Sequence, residues 1–355
     1  MKIGVPKEIK TLEGRVGLIP AACADLIKQG NEVWVQAGAG VLSGYTDDDY
    51  TVQGVRIAAD AAALYRAAQL IVKVKEPLAA DLLHLQKTHT LFCYLHLAAN
   101  VTLAKQLCQI GLTAVAFEMV TDPHGQLPLL APMSDIAGRL SVQIGTHLLH
   151  SPQGGRGLML GGLALTERGR VVVLGAGRAG GAAARLASDL GARVTVFDKI
   201  PARLESLHHY SSNIAALYAY HHSIAEAVAK ADLLIGAVLL PGLHAPRIVT
   251  TGMVKTMQTG SVVIDISVDQ GGCVETIHAT DYANPTYVQH GVVHFGVTNM
   301  PGAVPRTSSQ ALSAVITPYV QRMATAGWAL EKDLQNGINI RDGKIDNPLI
   351  EQALA

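Results

Sequence analysis

A glycine-rich segment in the middle of the chain lies between a β-branched run and an alanine-rich stretch. It contains Gly175, Gly177 and Gly180, with Arg178 and Ala179 between the last two. At this spacing the first glycine permits a tight turn, the second lets the backbone approach a pyrophosphate, and the third allows close packing of helix on strand. Amide groups at the start of the following helix would face the phosphate charge. The segment predicts a dinucleotide site, and the alternative is a glycine-rich turn of an unrelated α/β protein.

The next β-rich run, residues 193–197, is followed by Asp198. An acid at this distance from the glycines is typical of the carboxylate that accepts hydrogen bonds from the adenosine ribose hydroxyls. The same charge would repel a 2′-phosphate, so we expect NAD rather than NADP. Lys199 and Arg203 place positive charge nearby, which would tolerate a phosphate.

Three ionisable residues follow other strand-like apolar runs: Lys75, His96 and Asp269. Ligands of doubly wound sheets bind beyond the carboxyl ends of the strands, which is where these side chains would lie. Arg15, in the loop after the first run, has a guanidinium that could clamp a carboxylate. A cleft between two domains, with a substrate on one wall and a cofactor on the other, would allow hydride transfer. The alternatives are a solvated Arg15 and an Asp269 that caps a helix.

The elements that must position these residues alternate between β-rich runs and segments of helical length. This alternation predicts an α/β protein with two doubly wound, Rossmann-like domains joined by long linking helices at residues 134–149 and 308–326. We expect a discontinuous substrate domain, residues 1–130 plus 305–355, and an NAD-binding domain at residues 131–304. The expected strands are 2–5, 32–35, 70–74, 90–95, 113–117, 170–174, 193–197, 233–237, 261–266 and 292–296, and further helices are expected at 21–29, 60–67 and 101–110.

Composition excludes several classes of protein. The 355 residues are 49% hydrophobic and 16% charged, with 28 basic and 28 acidic residues. Neutrality argues against a nucleic-acid or anionic-membrane partner, and so few charges favour self-association. The four cysteines have neither metal-ligand nor disulfide spacing, so we expect reduced thiols and no metal. The charged N-terminus does not have the pattern of a signal peptide, so we expect a cytoplasmic protein.

Eight motifs lie along nearly the whole chain: residues 1–10 with Arg15, 73–77, 94–99, 129–134, 175–180, 236–242, 269–272 and 299–302. Together they resemble those of bacterial alanine dehydrogenases, a family that shares its two-domain plan with nicotinamide nucleotide transhydrogenases.

The resemblance implies reversible oxidative deamination of L-alanine to pyruvate and ammonia with NAD, by a homohexamer. Arg15 and Lys75 would hold the substrate carboxylate, while His96 and Asp269 would donate and accept protons. The residues implied to line the NAD site are Ser134, Gly175, Gly177, Arg178, Ala179, Gly180, Asp198, Arg203, Ala219, Val238, Leu239, Ile266, Ser267, Val268, Asp269, His278, Val297, Thr298, Asn299 and Met300.

A few positions depart from the family pattern. Arg178 and Ala179 stand where small or apolar residues are expected, Ala219 where relatives often have serine, and His278 where an arginine can occur. Two other functions compete with the one implied. One is the soluble part of a proton-translocating transhydrogenase, which would not need a complete amino-acid site, and the other is a catalytically silent NAD-binding protein.

Overall fold

The computed structural model describes residues 1–238 and 245–354. The strands in this part of the chain are β1 (Lys2–Val5), β2 (Glu32–Gln36), β3 (Arg56–Ala58), β4 (Leu70–Val72), β5 (Thr90–Cys93), β6 (Thr113–Ala116), β7 (Arg170–Leu174), β8 (Arg193–Asp198), β9 (Ile214–Tyr218), β10 (Leu233–Gly236), β11 (Val262–Asp265), β12 (Thr286–Gln289), β13 (Val292–Phe295), β14 (Ile338–Arg341) and β15 (Lys344–Ile345).

The α-helices described are α1 (Pro20–Lys28), α2 (Asp47–Thr51), α3 (Ala61–Ala67), α4 (Ala79–Leu82), α5 (Val101–Ile110), α6 (Ala131–Leu148), α7 (Arg178–Asp189), α8 (Pro201–His208), α9 (His221–Lys230), α10 (Thr251–Val254), α11 (Pro305–Met323), α12 (Lys332–Gly337) and α13 (Pro348–Leu354). Local signals explain several starts. Asp60 caps α3 by accepting the Ala63 N–H at 2.7 Å, and α1 and α11 begin with proline, whose missing N–H costs nothing there.

The chain divides into two compact units. The first consists of Met1–Met133 and Gly302–Ala355, and the second is Ser134–Pro301. Each unit contains one sheet, so the α/β class expected from the sequence is confirmed.

The sheet of the first unit has the order β15-β14-β6-β5-β4-β1-β2-β3. Strands β1 to β6 are parallel to their neighbours, and β14 joins β6 in the antiparallel sense. The carboxyl ends of β1, β4, β5 and β6 therefore lie side by side at one edge. The loops that follow these four strands meet at that edge.

The sheet of the second unit has the order β12-β13-β11-β10-β7-β8-β9. All neighbours in it are parallel except β12, which pairs with β13 in the antiparallel sense. The segments after β7, β8, β10, β11 and β13 consequently leave the sheet at one edge.

Strand ends are the main difference from expectation. Strand β4 ends at Val72 and β5 at Cys93, two residues before the expected ends. The N–H groups of Lys73 and Tyr94 still bond to backbone carbonyls of the neighbouring segment. The N–H groups that come next, of Val74 and Leu95, bond to the side chains of Glu8 and Glu118 instead. Strands β3, β9, β12, β14 and β15 were not expected. They are short or lie towards the sheet edges, where the apolar signal is weakest. Among the described residues, no helix is long and apolar enough to cross a membrane.

Candidate functional site

Lys75 lies just beyond the end of β4, in backbone that Glu8 holds in place. Glu8 Oε1 accepts the N–H groups of Val74, at 2.7 Å, and of Lys75, at 3.3 Å. Glu8 itself comes three residues after β1, the neighbour of β4 in the sheet. A carboxylate from one strand end thus fixes the backbone of the residue expected to bind substrate.

Glu8 belongs to a buried charge cluster that also contains Lys73 and Asp81. The Lys73 ammonium, 1% exposed, lies 3.4 Å from Glu8 Oε2 and 3.0 Å from Asp81 Oδ2. Burial opposes the charge of Lys73, but the two carboxylates outweigh it and raise the lysine pKa. Burial raises the pKa of Glu8, against the opposing effect of Lys73. Both carboxylates of the cluster therefore depend on the same cation, Lys73.

His96 lies beyond β5 and is half exposed. Its backbone is left-handed, with φ of 48°, and its N–H is accepted by Glu118 Oε1 at 2.6 Å. The ring of Tyr94 lies parallel to the imidazole, with centroids 6.0 Å apart. His96 and Lys75 therefore occupy neighbouring strand ends of the same sheet.

Arg15 is buried rather than solvated, being 2% exposed. Glu13 accepts its Nε–H at 2.7 Å and its Nη2–H at 2.5 Å, while Nη1 donates to the sulfur of Met133. Burial opposes the charge of Arg15, but the hydrogen bonds and charge of Glu13 raise its pKa overall. Its loop is tied to α11 by the Val16 N–H, which donates to Ser309 Oγ at 2.9 Å.

The glycine loop of the second unit has the expected form. Gly175 follows β7 at once with φ of 94°, and Gly177 is the N-cap of α7. A Cβ at position 180 would overlap the carbonyl oxygen of Gly175, so only glycine fits there. A Cβ on Gly177 would meet Arg203 Nη1, 3.8 Å away, and no nearer group of the described chain outside its neighbours. The backbone at Gly177 is therefore open to a diphosphate, which fits the expected dinucleotide.

Asp198 is the last residue of β8, and its side chain accepts a hydrogen bond from the backbone of this loop. Its Oδ2 accepts the N–H of Ala176 at 2.6 Å, and its Oδ1 accepts the N–H of Ile200 at 2.8 Å. Arg203 Nη1 lies 3.6 Å from Oδ2. The Asp198 carboxylate thus holds the backbone of the glycine loop, and the guanidinium of Arg203 forms an ion pair with this carboxylate.

Arg178 and Ala179 begin α7, and both contact α6. Arg178 Nε lies 3.3 Å from Asp135 Oδ2. A Cβ at Gly138 would overlap the carbonyl of Ala179, so that glycine allows the two helices to approach closely. The unusual arginine of the loop is therefore paired with a carboxylate of the neighbouring helix.

Asp269 lies on the 3₁₀ helix Ile266–Gln270, where it is exposed. The expectation that it directly ends a strand is wrong, because β11 ends at Asp265. That buried carboxylate accepts the N–H of Ser267 at 2.9 Å and of Cys273 at 2.7 Å. Asp265, not Asp269, therefore caps this turn and ties together both ends of the segment that carries Asp269.

The other expected cofactor residues follow the carboxyl ends of the second sheet or lie on α6. Val238 follows β10, and its Cγ2 would lie 3.4 Å from a Cβ on Gly175. Residues Ile266, Ser267 and Val268 share the 3₁₀ helix with Asp269, Val297, Thr298, Asn299 and Met300 follow β13, and Ser134 lies in α6. Leu239 lies outside the described residues.

Two positions that depart from the family pattern have defined surroundings. The N–H of Ala219, just after β9, donates to the carbonyl of Asp198 at 3.1 Å. The imidazole of His278 stacks on Tyr287, with centroids 3.8 Å apart, and Tyr287 stacks in turn on the buried His294. The contribution of each to cofactor binding stays a prediction.

Comparison with known proteins places the chain in a family. The model "Alanine dehydrogenase/PNT, N-terminal domain" matches residues 4–137, and "Alanine dehydrogenase/PNT, C-terminal domain" matches residues 141–348. This chain belongs to the alanine dehydrogenase/PNT family. The resemblance inferred from the motifs is thereby confirmed.

Within this family, the chain is similar to characterised proteins over nearly its full length. It is 48% identical to an alanine dehydrogenase of Halomonas elongata, with 99% of this chain and 96% of that protein covered. It is 46% identical to an alanine dehydrogenase of Bacillus subtilis, with 97% of this chain and 92% of that protein covered. A solved L-alanine dehydrogenase superposes with a TM-score of 0.96 at 47% identity and full coverage of both chains. A solved transhydrogenase from Sinorhizobium meliloti superposes with a TM-score of 0.85 at 26% identity, and the superposition covers 98% of this chain and 99% of that chain.

The sequence interpretation overlooked the carboxylates that support the expected site. Glu8, Glu13, Glu118 and Asp265 each accept backbone N–H groups beside, or form ion pairs with, an expected substrate or catalytic residue. Their positions near the ends of β1, β6 and β11 were the available signal. Among the described residues, no group of three His, Cys, Asp or Glu side chains could hold a metal ion.

Proposed function

We propose that this protein catalyses the NAD-dependent, reversible oxidative deamination of L-alanine to pyruvate and ammonia. One observation carries the proposal. A member of the alanine dehydrogenase/PNT family has a glycine loop hydrogen-bonded to the acid Asp198. It also has four ionisable residues in segments that follow strands: Arg15, Lys75, His96 and Asp269. A protein that only binds the nucleotide would have no need of these four ionisable residues.

The first unit supplies the substrate residues. Arg15 and Lys75 hold the carboxylate of alanine or pyruvate, the arginine through its guanidinium and the lysine as a point charge. Glu13 and Glu8 keep the two cations in place, through the ion pair to Arg15 and the backbone bonds beside Lys75. These contacts orient Cα and leave the amine accessible to a base.

The reaction requires a group that moves protons to and from the substrate amine and the carbon that bears it. Cα gives up hydride only after the amine has lost its proton, and the resulting iminium must then add water and expel ammonia. His96 accepts and returns protons at this centre, because an imidazole can act both as a proton acceptor and as a proton donor. Asp269 orients or assists the attacking water.

The second unit holds NAD, which when bound supplies the hydride acceptor. The first amides of α7 and the backbone at Gly177 would hold the diphosphate, and Asp198 would accept hydrogen bonds from the adenosine ribose. Val238, with the segments at residues 266–269 and 297–300, lines the rest of the nucleotide.

The test is direct. The purified protein is incubated with L-alanine and NAD, and NADH is followed at the nicotinamide absorbance band, with D-alanine as the matched control. We expect NADH from the L isomer, and a His96→Ala variant should lower kcat about 10²- to 10⁴-fold. No NADH from L-alanine at any pH would reject the proposal in favour of a silent nucleotide-binding protein. Hydride exchange between nucleotides without alanine oxidation would instead favour transhydrogenase chemistry.

We also propose a cytoplasmic homohexamer. The second unit exposes an apolar loop in which Leu165 is fully exposed and Leu163 and Met159 are 68% and 61% exposed. Such a group on one loop is typical of a surface covered by another copy. Light scattering during size exclusion would give the mass of six chains, and cell fractionation would test the location.

A further inference from the structure

Glu118 is absent from the residues expected to act in the reaction, yet it touches both the backbone and the ring side of His96. We propose that Glu118 is a positioning residue that sets His96 for proton transfer. This inference rests on the proposed role of His96 in the deamination. Three observations support it: the packing that places Glu118, the bonds it accepts, and the conformation those bonds hold.

Aromatic packing brings Glu118 beside His96. Strand β6 pairs with β5 up to the level of Cys93 and Ala116, and Phe117 follows directly. The Phe117 ring makes edge contacts with Phe92, at 4.4 Å between centroids, and with Tyr94, at 5.1 Å. Because Phe117 is fully buried, the next residue along the chain lies against the end of β5.

The carboxylate of Glu118 then accepts the N–H groups that the end of β5 presents. His96 N lies 2.6 Å from Oε1, and Leu95 N lies 3.2 Å from both carboxylate oxygens. Backbone donors that leave a sheet need acceptors. A carboxylate is a stronger acceptor than a neutral group, so these bonds hold the strand end firmly.

The backbone held in this way is one that histidine rarely adopts. His96 has φ of 48° and ψ of 39°, in the left-handed region. A non-glycine residue stays in this region only when its surroundings impose it. The two bonds to Glu118 supply that constraint, and the direction of the imidazole depends on it.

The Glu118 carboxylate also lies on the Nδ1 side of the His96 ring. Its Oε1 lies 3.7 Å from His96 Nδ1, which is ion-pair range for an imidazolium. The Tyr94 ring lies parallel to the imidazole, and its own hydroxyl donates to the carbonyl of Leu129 at 2.7 Å. With the carboxylate on the Nδ1 side, Nε2 is the ring nitrogen that takes the substrate proton and returns it.

The kinetic test uses Glu118→Ala, Glu118→Gln, His96→Ala and the double variant His96→Ala with Glu118→Ala. We expect Glu118→Ala to lower kcat for alanine about 10- to 100-fold, since a misplacement of about 1 Å costs up to that much, with KM for NAD little changed. Glu118→Gln keeps an acceptor oxygen, so its kcat should fall less. The double variant should be no slower than His96→Ala, because Glu118 acts through His96. Glu205→Ala, which removes an exposed Glu–His pair, is the control.

Hydrogen–deuterium exchange gives a readout independent of activity. In Glu118→Ala, the amides of Leu95 and His96 should exchange at least about tenfold faster than in the parent protein because their acceptor is gone. Peptides from β1 and β7 should be unchanged, which excludes global unfolding as the cause. Glu118→Gln should be intermediate, so the comparison holds even if the alanine variant folds poorly.

Several results would overturn the inference. It fails if Glu118→Ala keeps kcat within about threefold of the parent. It also fails if removing Glu118 lowers kcat by the same factor in the His96→Ala background as in the parent, because the two residues would then act independently. It also fails if exchange at residues 95 and 96 is unaltered. If the parent protein does not oxidise L-alanine while exchange changes as expected, the bonds are real and the proposed function is what fails.

Discussion

Replacing Lys73 by methionine should destabilise the first unit strongly. Lys73 is the cation of a buried cluster, 3.4 Å from Glu8 and 3.0 Å from Asp81, and all three side chains are nearly inaccessible. At an effective dielectric constant of about 20, each such attraction is worth about 4 kcal/mol. The variant no longer has to desolvate the ammonium, which offsets part of that loss. Breaking a buried pair from one side costs about 3–5 kcal/mol net.

This loss should be visible as a fall in Tm of roughly 6–20 °C for the transition of the first unit. The control is Lys28→Met, which removes an exposed pair with Asp25 at 3.7 Å and should shift Tm by less than about 2 °C. Differential scanning calorimetry of both variants and the parent, without ligands, gives the comparison. A shift for Lys73→Met no larger than that of the control would refute the reasoning.

The destabilisation should also depend on pH in a defined direction. Burial raises the pKa of Glu8 and Lys73 opposes that rise, so the variant should raise the Glu8 pKa further. Below the ordinary value of 4.5 the carboxyl is protonated in both folded and unfolded chains and carries no penalty. As pH rises above that value the penalty grows, so the Tm difference should be larger at about pH 8 than at about pH 5. Adding Glu8→Gln to the variant should restore part of the stability at the higher pH, and no recovery would show that an unpaired Glu8 is not the cause.

Three further predictions concern ligands. Lys75→Ala should lower kcat/KM for pyruvate about 10- to 100-fold through loss of a charged hydrogen bond, while the Kd for NADH, from fluorescence titration, stays within about twofold. Gly177→Ala should fold normally, because among the described residues outside its neighbours the new Cβ would meet Arg203 Nη1 at 3.8 Å and nothing nearer. It should nevertheless weaken NADH binding at least about tenfold, whereas Gly180→Ala should lose folded protein. Equal NADH affinity in Gly177→Ala and the parent would contradict a role of the glycine loop in holding the nucleotide. Asp198→Asn keeps an acceptor for Ala176 but not the charge, so kcat/KM for NADP relative to NAD should rise about tenfold, and an unchanged ratio would show that Asp198 does not set the preference.

Strand cores and the glycine turn were predictable because their signals are local. The β-branched run at Arg170–Leu174 forms a strand with the expected ends, and so does Lys2–Val5. Helix Val101–Ile110 also has the expected ends. Asn100 sets its start by accepting the Leu103 N–H at 3.0 Å, and Gly111, in the left-handed conformation, ends it. In each case the residues that decide the element lie within it or next to it.

Strand ends and edge strands were not predictable in the same way. An apolar run does not indicate where strand pairing stops. Beyond the end of β4, the Val74 N–H bonds to Glu8, 66 positions away in sequence, instead of to a neighbouring strand. Strand β14 pairs with β6 from the far end of the chain. Both depend on contacts that are distant in sequence and therefore invisible to local patterns.

The sequence by itself determined the α/β class, the glycine turn with its acid, and the types of the four ionisable residues, because each follows from periodicity or from short spacing. The tertiary structure decided how those residues are held. It buries Arg15 against Glu13 and places Lys73 between the carboxylates of Glu8 and Asp81. It also bonds the His96 N–H to Glu118, and it makes Asp265 rather than Asp269 the cap of the 3₁₀ helix that carries Asp269. Hydrogen bonds and ion pairs act over a few ångströms, and only folding brings these carboxylates that close to their partners.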